Sequence, residues 1–119
     1  MGNILVMTTA KRSGGSLPPE LVALCAELGR NIQVARKRRG FSELRLAQLA
    51  HTSRRTIQRI ESGEPGVGLG ILASVLWVLQ LEGDLRLVAA PDRDEQGKFL
   101  AETKLPQRVR DARDTRYDF

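Results

Sequence analysis

The sequence predicts an all-α protein, a compact bundle of five helices, and three observations support this class. The chain has 119 residues and is 41% hydrophobic, which is enough for one packed domain with short extensions. Its aromatic residues are only three Phe, one Trp and one Tyr, and this composition favours helices over a β-sandwich. Apolar residues also recur at helical spacing between candidate caps and glycine stops.

The first predicted helix follows a leader, residues 1–17, that ends in a linker-like SGGS and is expected to be flexible. Two prolines precede the helix, which we expect over about residues 20–39. Gly40 is its expected left-handed stop. One helical stripe is formed by Leu21, Leu24, Cys25, Leu28, Ile32 and Ala35.

Two short helices are expected next. Ser42 is a candidate N-cap for the second helix, and Ser53 for the third. Helical spacing turns Ile57 and Ile60 of the third helix inward, and Gly63 is expected to end it.

A fourth helix is predicted over about residues 69–81, and Asp84 is a candidate cap for a short fifth helix. We therefore predict a leader over 1–17, a compact domain over 18–90 and a charged tail over 91–119. The tail is expected to bind a partner or to be disordered when free, with a turn or two of helix over 95–103.

The charge of the chain is unevenly distributed. Residues 30–60 contain nine Arg or Lys and one acid, Glu43, whereas the whole chain has a net charge of +5. Such a basic block favours a polyanionic partner, with nucleic acid as the first candidate and an anionic membrane surface as the second. The uncharged stretch 65–81 contains three glycines, so we expect a buried core helix there and no membrane partner. The single cysteine and the lack of a signal peptide pattern favour the cytoplasm.

Residues 42–62 have the lengths of a helix-turn-helix, in which the second helix presents its N-terminal residues to the major groove of DNA. Ala47 lies where the two helices would cross closely. The outward side chains suit base edges, since Arg can donate twice to guanine and Gln can pair with adenine. These candidates for base contact are Arg54, Arg55, Thr56, Gln58 and Arg59. The alternative is a basic face that only meets solvent.

These residues resemble the Xre or phage-repressor type of helix-turn-helix domain. The resemblance rests on Arg36, then SELRLA from Ser42, then SRRTI from Ser53, and RIESG ending at Gly63. It implies a salt bridge between Arg36 and Glu61 that ties the first helix to the recognition helix. Two positions depart from the family pattern: Glu43 replaces a Gln that commonly contacts phosphate, and His51 replaces the turn glycine, where a positive φ would be strained.

Phosphate contacts are also expected from polar and basic residues near the proposed recognition helix. The candidates are Lys37, Arg38, Arg39, Arg45 and Ser53. For the three residues of the first helix, complementing the dipole at the helix C-terminus is an equally good explanation.

A narrower resemblance points to the HipB-like branch of this family. It is carried by SRRTIQRIESGEPGVGLGILASVLWVL and by DRDEQGKFL. It implies a homodimeric repressor of its own operon and an antitoxin to a HipA-like serine/threonine kinase, acting in a bacterial cytoplasm and on the nucleoid. The alternatives are a regulator without a toxin and a protein-interaction module that mainly neutralises a partner.

The fourth helix is apolar on nearly all sides, so it needs contacts on more than one side. We expect Trp77 in the core or in an interface. The candidates for a dimer or partner interface are Leu76, Trp77, Leu79, Leu81 and Leu85.

Catalytic chemistry is not expected. Cys25 and His51 lie on different predicted elements, and no spacing suggests metal ligands. The glycine-rich GVGLG lacks the Gly-Lys-Ser/Thr of a phosphate-binding loop. The sequence therefore predicts a protein that is not an enzyme and that uses no metal or cofactor.

Overall fold

The computed structural model describes residues 17–112, with side chains described as far as Thr103. This part of the chain contains helices and no strand, which confirms the all-α class. The helices are α1 Pro19–Arg38, α2 Glu43–Leu49, α3 Arg54–Glu61, α4 Leu69–Val78, α5 Gly83–Leu87 and α6 Glu95–Ala112, with a short 3-10 helix at Pro91–Arg93. Apart from Leu17, the predicted leader lies outside the described residues.

The chain divides into two compact units, the first ending at Glu82 and the second beginning at Gly83. The predicted domain limit at residue 90 stays a prediction. The five expected helices are all present, although α4 ends at Val78, earlier than expected. Helix α5 begins at Gly83, so Asp84 lies in its first turn and is not its cap.

The core of the first unit is built from one buried stripe on each of α1 to α4. Within this unit α3 contacts both α1 and α2, and α2 contacts α4. Ala47 is buried on α2, as its small size suggested. The largest side chains with almost no exposure are Ile32, Leu46, Ile57, Val75 and Leu79. Burying these branched side chains is the main force that holds the four helices together.

Helices α1 and α3 approach each other through their backbones at Gly29. A Cβ atom at this position would lie 2.5 Å from the carbonyl oxygen of Ile60 and 2.6 Å from that of Glu61. Only a hydrogen atom fits there, so Gly29 sets the short distance between the two helices.

Four helices of the first unit end in the same hydrogen-bonded turn, the Schellman motif, which requires a residue with positive φ after the cap. Gly40 and Gly63 supply it after α1 and α3, as predicted, with φ of 73° and 86°. His51 and Gln80 supply it after α2 and α4, with φ of 57° and 64°. His51 therefore accepts the strained backbone of the family's turn glycine, and the N–H of Thr52 donates to the oxygen of Ala47 at 2.9 Å.

The exposure of two groups of apolar side chains could not be read from their spacing. The stripe of α1 is buried at Ile32 and Ala35, but Leu21, Leu24 and Leu28 nearer its start are exposed. Of the two places expected for Trp77, the core is excluded, because its side chain is 65% exposed, and the interface stays a prediction. Helical periodicity identifies an apolar face, but it does not show how much of that face a neighbouring helix reaches.

The second unit contains α5, the 3-10 helix and α6. Asp94 caps α6, because its Oδ1 accepts the N–H of Gly97 at 2.9 Å. Helix α6 is longer than the turn or two expected over 95–103, because it continues through the tail as far as Ala112. Residues 113–119 of the predicted tail lie outside the described part. Val88 and Phe99 are exposed. Among the described helices, none combines the length and the hydropathy needed to cross a bilayer.

Candidate nucleic-acid interface

The start of α3 is fixed by a local cap. The hydroxyl of Ser53 accepts the N–H of Thr56 at 3.1 Å, and the two hydroxyl oxygens lie 2.9 Å apart. Ser42 caps α2 in the same way, accepting the N–H of Arg45 at 3.0 Å. Both predicted caps are confirmed. Helix α2, the connection 50–53 and α3 therefore have the form of a helix-turn-helix.

A buried ion pair sets the position of α3 against α1. The Nε of Arg36 donates to Oε2 of Glu61 at 2.7 Å, and its Nη2 donates to Oε1 at 2.9 Å. The two side chains are 8% and 4% exposed. The third donor, Nη1 of Arg36, reaches the carbonyl oxygen of Phe41 at 3.0 Å. This is the two-pronged geometry in which Arg holds a carboxylate most firmly.

The hydrogen bonds to Glu61 raise the pKa of the Arg36 guanidinium above its ordinary value, although burial acts in the opposite direction. Arg36 therefore stays charged wherever the protein is folded. Since the pair joins the last turn of α1 to the last turn of α3, it restricts both the rotation and the tilt of α3.

The outer face of α3 follows from the burial of Ile57 and Ile60 on its other side. Arg54, Arg55 and Gln58 are exposed on this outer face, and Thr56 and Arg59 are half-buried. The structure therefore brings the five predicted base-contacting residues onto one short helix. The hydroxyl of Thr56 is already engaged with Ser53, which leaves it less available than the longer side chains.

Glu43 of α2 contacts two of these residues. Its Oε1 accepts from Nε2 of Gln58 at 3.1 Å and from Nε of Arg54 at 3.3 Å. The hydrogen bond from Gln58 is the main cause that lowers the pKa of the Glu43 carboxyl, and Arg54 and Arg36 add to it. Sequence reasoning treated Glu43 only as the replacement for a phosphate-contacting Gln and missed this link. The sequence did contain a sign of such a contact, because Glu43 is the single acid in a block that contains nine basic residues.

A second acid engages Arg59. The Nε of Arg59 donates to Oε1 of Glu64 at 2.7 Å, and both side chains are partly open to solvent. By contrast, Arg55 has no hydrogen-bond or ion-pair partner among the side chains that the structure describes. Arg55 can therefore meet a base or a phosphate without first giving up a contact with any of these side chains.

The predicted phosphate-contacting residues lie on three elements. Lys37, Arg38 and Arg39 are exposed at the end of α1, where Nη1 of Arg39 donates to the carbonyl oxygen of Ala35 at 2.8 Å. Arg45 is exposed on α2, and the hydroxyl of Ser53 belongs to the cap of α3. The contact from Arg39 fits the role of complementing the helix end. Arg39 is thus held by a contact within the protein, and Lys37 and Arg38 are the cations at this helix end that are freer to contact phosphate.

The predicted interface residues differ in exposure and belong to two units. Leu76 and Leu79 are buried in the core of the first unit, so their assignment to an interface does not fit. Leu81 and Leu85 are half-buried, on different units. Trp77 alone of the five is strongly exposed, and it borders an open depression of about 350 Å³ that Phe41, Leu49, Val78, Gln80 and Glu82 also line.

A capped helix that follows α2 after a short turn, is held against α1 by a buried ion pair and exposes basic side chains defines the class of helix-turn-helix DNA-binding modules. The comparison with protein families agrees, because the model described as "Helix-turn-helix domain" matches residues 27–88. This chain belongs to that helix-turn-helix family and is a DNA-binding regulator of the Xre type.

A relative gives independent support for the family. The chain is 28% identical over 74 residues to a protein of Acinetobacter baylyi named "Competence pilus inhibition repressor". The aligned part covers 62% of this chain and 67% of the relative. The resemblance to Xre-type regulators is thus supported, whereas the HipB-like branch stays a prediction.

Proposed function

We propose that this protein is a sequence-specific transcriptional repressor that binds its operator as a homodimer. The observation that supports this proposal best is the exposed face of α3, where Arg54, Arg55 and Gln58 project from a helix whose orientation is fixed. A rigid helix can place hydrogen-bonding groups against base edges reproducibly. The similarity to a protein named as a repressor supports the same role.

In this proposal the contacts divide into two groups. Arg54, Arg55, Gln58 and Arg59 select bases, with Thr56 in a lesser role because its hydroxyl is engaged. Cations outside the recognition helix bind phosphate and fix the register on the duplex. Those cations are Lys37, Arg38, Arg39 and Arg45, with the hydroxyl of Ser53 beside them.

The first test is binding to the DNA upstream of the protein's own gene against scrambled duplex, at two salt concentrations. A specific repressor is expected to prefer its operator by about a thousandfold or more. Its affinity is expected to fall as salt rises, because phosphate contacts release counterions. Equal and steeply salt-sensitive binding to both duplexes would contradict sequence-specific repression.

Arg55 allows a sharper test, because nothing among the described side chains holds it. Replacing Arg55 with Ala is expected to weaken operator binding by roughly 1–3 kcal/mol and to relax the preference at one base position. The control Arg93→Ala removes the same charge from an exposed position of the second unit. Equal loss of affinity for operator and scrambled DNA in R55A would make Arg55 a phosphate contact instead.

We also propose that Trp77 contributes to the homodimer. A large exposed aromatic side chain beside an open depression is typical of residues that anchor an interface. A two-fold dimer would bind two half-sites about one helical turn, roughly 34–36 Å, apart. Operator fragments that carry one or both half-sites, compared for affinity, would test this arrangement.

The antitoxin role is the finest part of the proposal and rests on the sequence resemblance to HipB-like proteins. It requires a HipA-like kinase gene next to this one, repression of the shared operon, and a complex between the two proteins. Co-expression with the neighbouring gene product, followed by co-purification and a growth assay, tests it. If the neighbouring gene encodes no kinase, the regulator without a toxin is the better description.

A second candidate function is a module whose main task is to bind and neutralise a protein partner. The exposed Val88, Phe99 and Leu100 of the second unit favour it, because apolar side chains on a polar segment suit a partner surface. Deleting residues 92–119 separates the two roles. Retained operator binding with lost neutralisation would assign partner binding to the second unit.

A further inference from the structure

Glu43 is the single acid among the nine basic residues of positions 30–60, and its carboxylate contacts the proposed recognition helix. Its Oε1 receives hydrogen bonds from Gln58 and from Arg54. These contacts lower the pKa of the Glu43 carboxyl, so the group is ionised at neutral pH. An acid placed here would reduce affinity for DNA, which raises the question of what the contact with Gln58 achieves.

The answer lies in the chemistry of the two partners. An ionised carboxylate can only accept hydrogen bonds, whereas a glutamine amide has an accepting oxygen and a donating nitrogen. Gln58 must therefore turn its Nε2 toward Glu43, and its Oε1 must point elsewhere. The bond from Arg54 holds the carboxylate in place. The side-chain amide of a glutamine can otherwise flip by 180°, and these contacts fix it in one orientation.

We propose, on the basis of the function proposed above, that Glu43 is a specificity-determining residue that acts through Gln58. With Nε2 held, Gln58 presents Oε1 to the groove as a hydrogen-bond acceptor. An acceptor selects bases that expose an amino group in the major groove, which are adenine through N6 and cytosine through N4. It disfavours guanine and thymine, whose O6 and O4 are acceptors themselves.

The second acid provides the contrast. Glu64 holds Arg59 as Glu43 holds Gln58, with Nε and Oε1 2.7 Å apart. However, every polar atom of a guanidinium is a donor, so an arginine presents donors in any orientation. Glu64 can change how readily Arg59 reaches DNA, but it cannot change whether Arg59 donates or accepts. It is therefore a charge-matched control for Glu43.

The test is selection of preferred sites from a randomised duplex library with the full-length protein. The wild type is expected to select a site with an adenine or cytosine position that disappears in Gln58→Ala. Glu43→Ala is expected to keep the rest of the site and to admit guanine and thymine at that position, with discrimination reduced on the order of tenfold. Glu64→Ala is expected to retain the adenine or cytosine preference, although both variants gain affinity for any DNA because each loses one negative charge.

Two further variants secure the interpretation. Glu43→Gln keeps the size of the side chain but can donate as well as accept, so it is expected to relax the same position even if Glu43→Ala folds poorly. The double variant Glu43→Ala with Gln58→Ala is expected to select the same site as Gln58→Ala alone, because Glu43 acts only through Gln58. Circular dichroism melts establish that each variant is folded.

The outcomes separate the two proposals. If the wild type enriches no sequence, the proposed repressor function fails. The wild type can also enrich a site whose preference for adenine or cytosine survives in both Glu43→Ala and Glu43→Gln. In that case the proposed repressor function is retained and the proposed role of Glu43 is overturned. A wild-type site in which the position that depends on Gln58 is guanine or thymine also overturns it.

Discussion

Helices α3 and α4 follow each other in the first unit, are of similar length, and are held in different ways. Helix α3 has 8 residues and α4 has 10. In α3, two buried isoleucines oppose a row of polar side chains, most of which have a named partner. In α4, one side is buried through Val75, Leu76 and Leu79, while Trp77 on another side is exposed.

The difference lies in how orientation is specified. Hydrophobic burial has no preferred direction, so it places a helix against its neighbours without fixing its rotation closely. The ion pair between Arg36 and Glu61 and the close approach at Gly29 are directional, and both act on α3. The orientation of α3 is therefore fixed by directional contacts, whereas α4 combines a core face with an exposed aromatic side chain.

The largest expected effect comes from breaking the ion pair that holds α3. Replacing Arg36 with Ala leaves the carboxylate of Glu61 and the carbonyl of Phe41 buried without their donor. A loss of about 3–5 kcal/mol in the free energy of unfolding is expected, measured by urea denaturation. The control Arg54→Ala removes an exposed pair with Glu43 and is expected to change stability by less than about 1 kcal/mol. Similar small effects for both variants would mean that α3 is not held by this pair.

The next effect concerns the contact between the α1 and α3 backbones. In Gly29→Ala the new methyl group meets two carbonyl oxygens of α3, so the helices must separate. A destabilisation near the upper end of the usual 1–3 kcal/mol for overpacking is expected. The control Gly70→Ala in α4 has no atom within 4 Å of its new Cβ, and it is expected to stabilise by up to about 1 kcal/mol. If both variants shift the urea midpoint equally, the close approach is not a constraint.

The third effect should appear in assembly and not in folding. Trp77→Ser removes an exposed aromatic side chain, so the thermal stability of the isolated chain is expected to change little. Self-association, measured by analytical ultracentrifugation, is expected to weaken at least about tenfold if the indole anchors the dimer. The control Val88→Ser removes an equally exposed apolar side chain from the second unit. Unchanged self-association in W77S would remove α4 from the proposed interface.

Much of α3 could be predicted from the sequence because its signals are local. The cap at Ser53, the stop at Gly63 and the spacing of Ile57 and Ile60 all lie within eleven residues. They fix the ends of the helix and its inner face before any tertiary contact is known. The partnership of Arg36 and Glu61 came from the family resemblance, since the two residues are 25 positions apart.

Other features depend on how helices cross, which no local pattern records. The contact between Glu43 and Gln58 joins two helices, and it exists only at the observed angle between α2 and α3. The exposure of Trp77 was not predictable either, because a helix that is apolar on all sides gives no sign of which side will be covered. The exposed leucines at the start of α1 were not predictable for the same reason.

The smallest effect tests how the two helices end. After α3 the residue with positive φ is Gly63, whereas after α4 it is Gln80, whose φ of 64° strains a residue with a Cβ. Gln80→Gly relieves that strain but adds freedom to the unfolded chain, so a net stabilisation of about 0.5–1 kcal/mol is expected. His51→Gly, at the end of α2, should behave alike. Because the N–H of Leu81 donates to the oxygen of Leu76 at 2.7 Å, the turn itself is well formed. A fall in the urea midpoint of Q80G would therefore mean that the glutamine side chain makes a stabilising contact that outweighs the strain of its backbone.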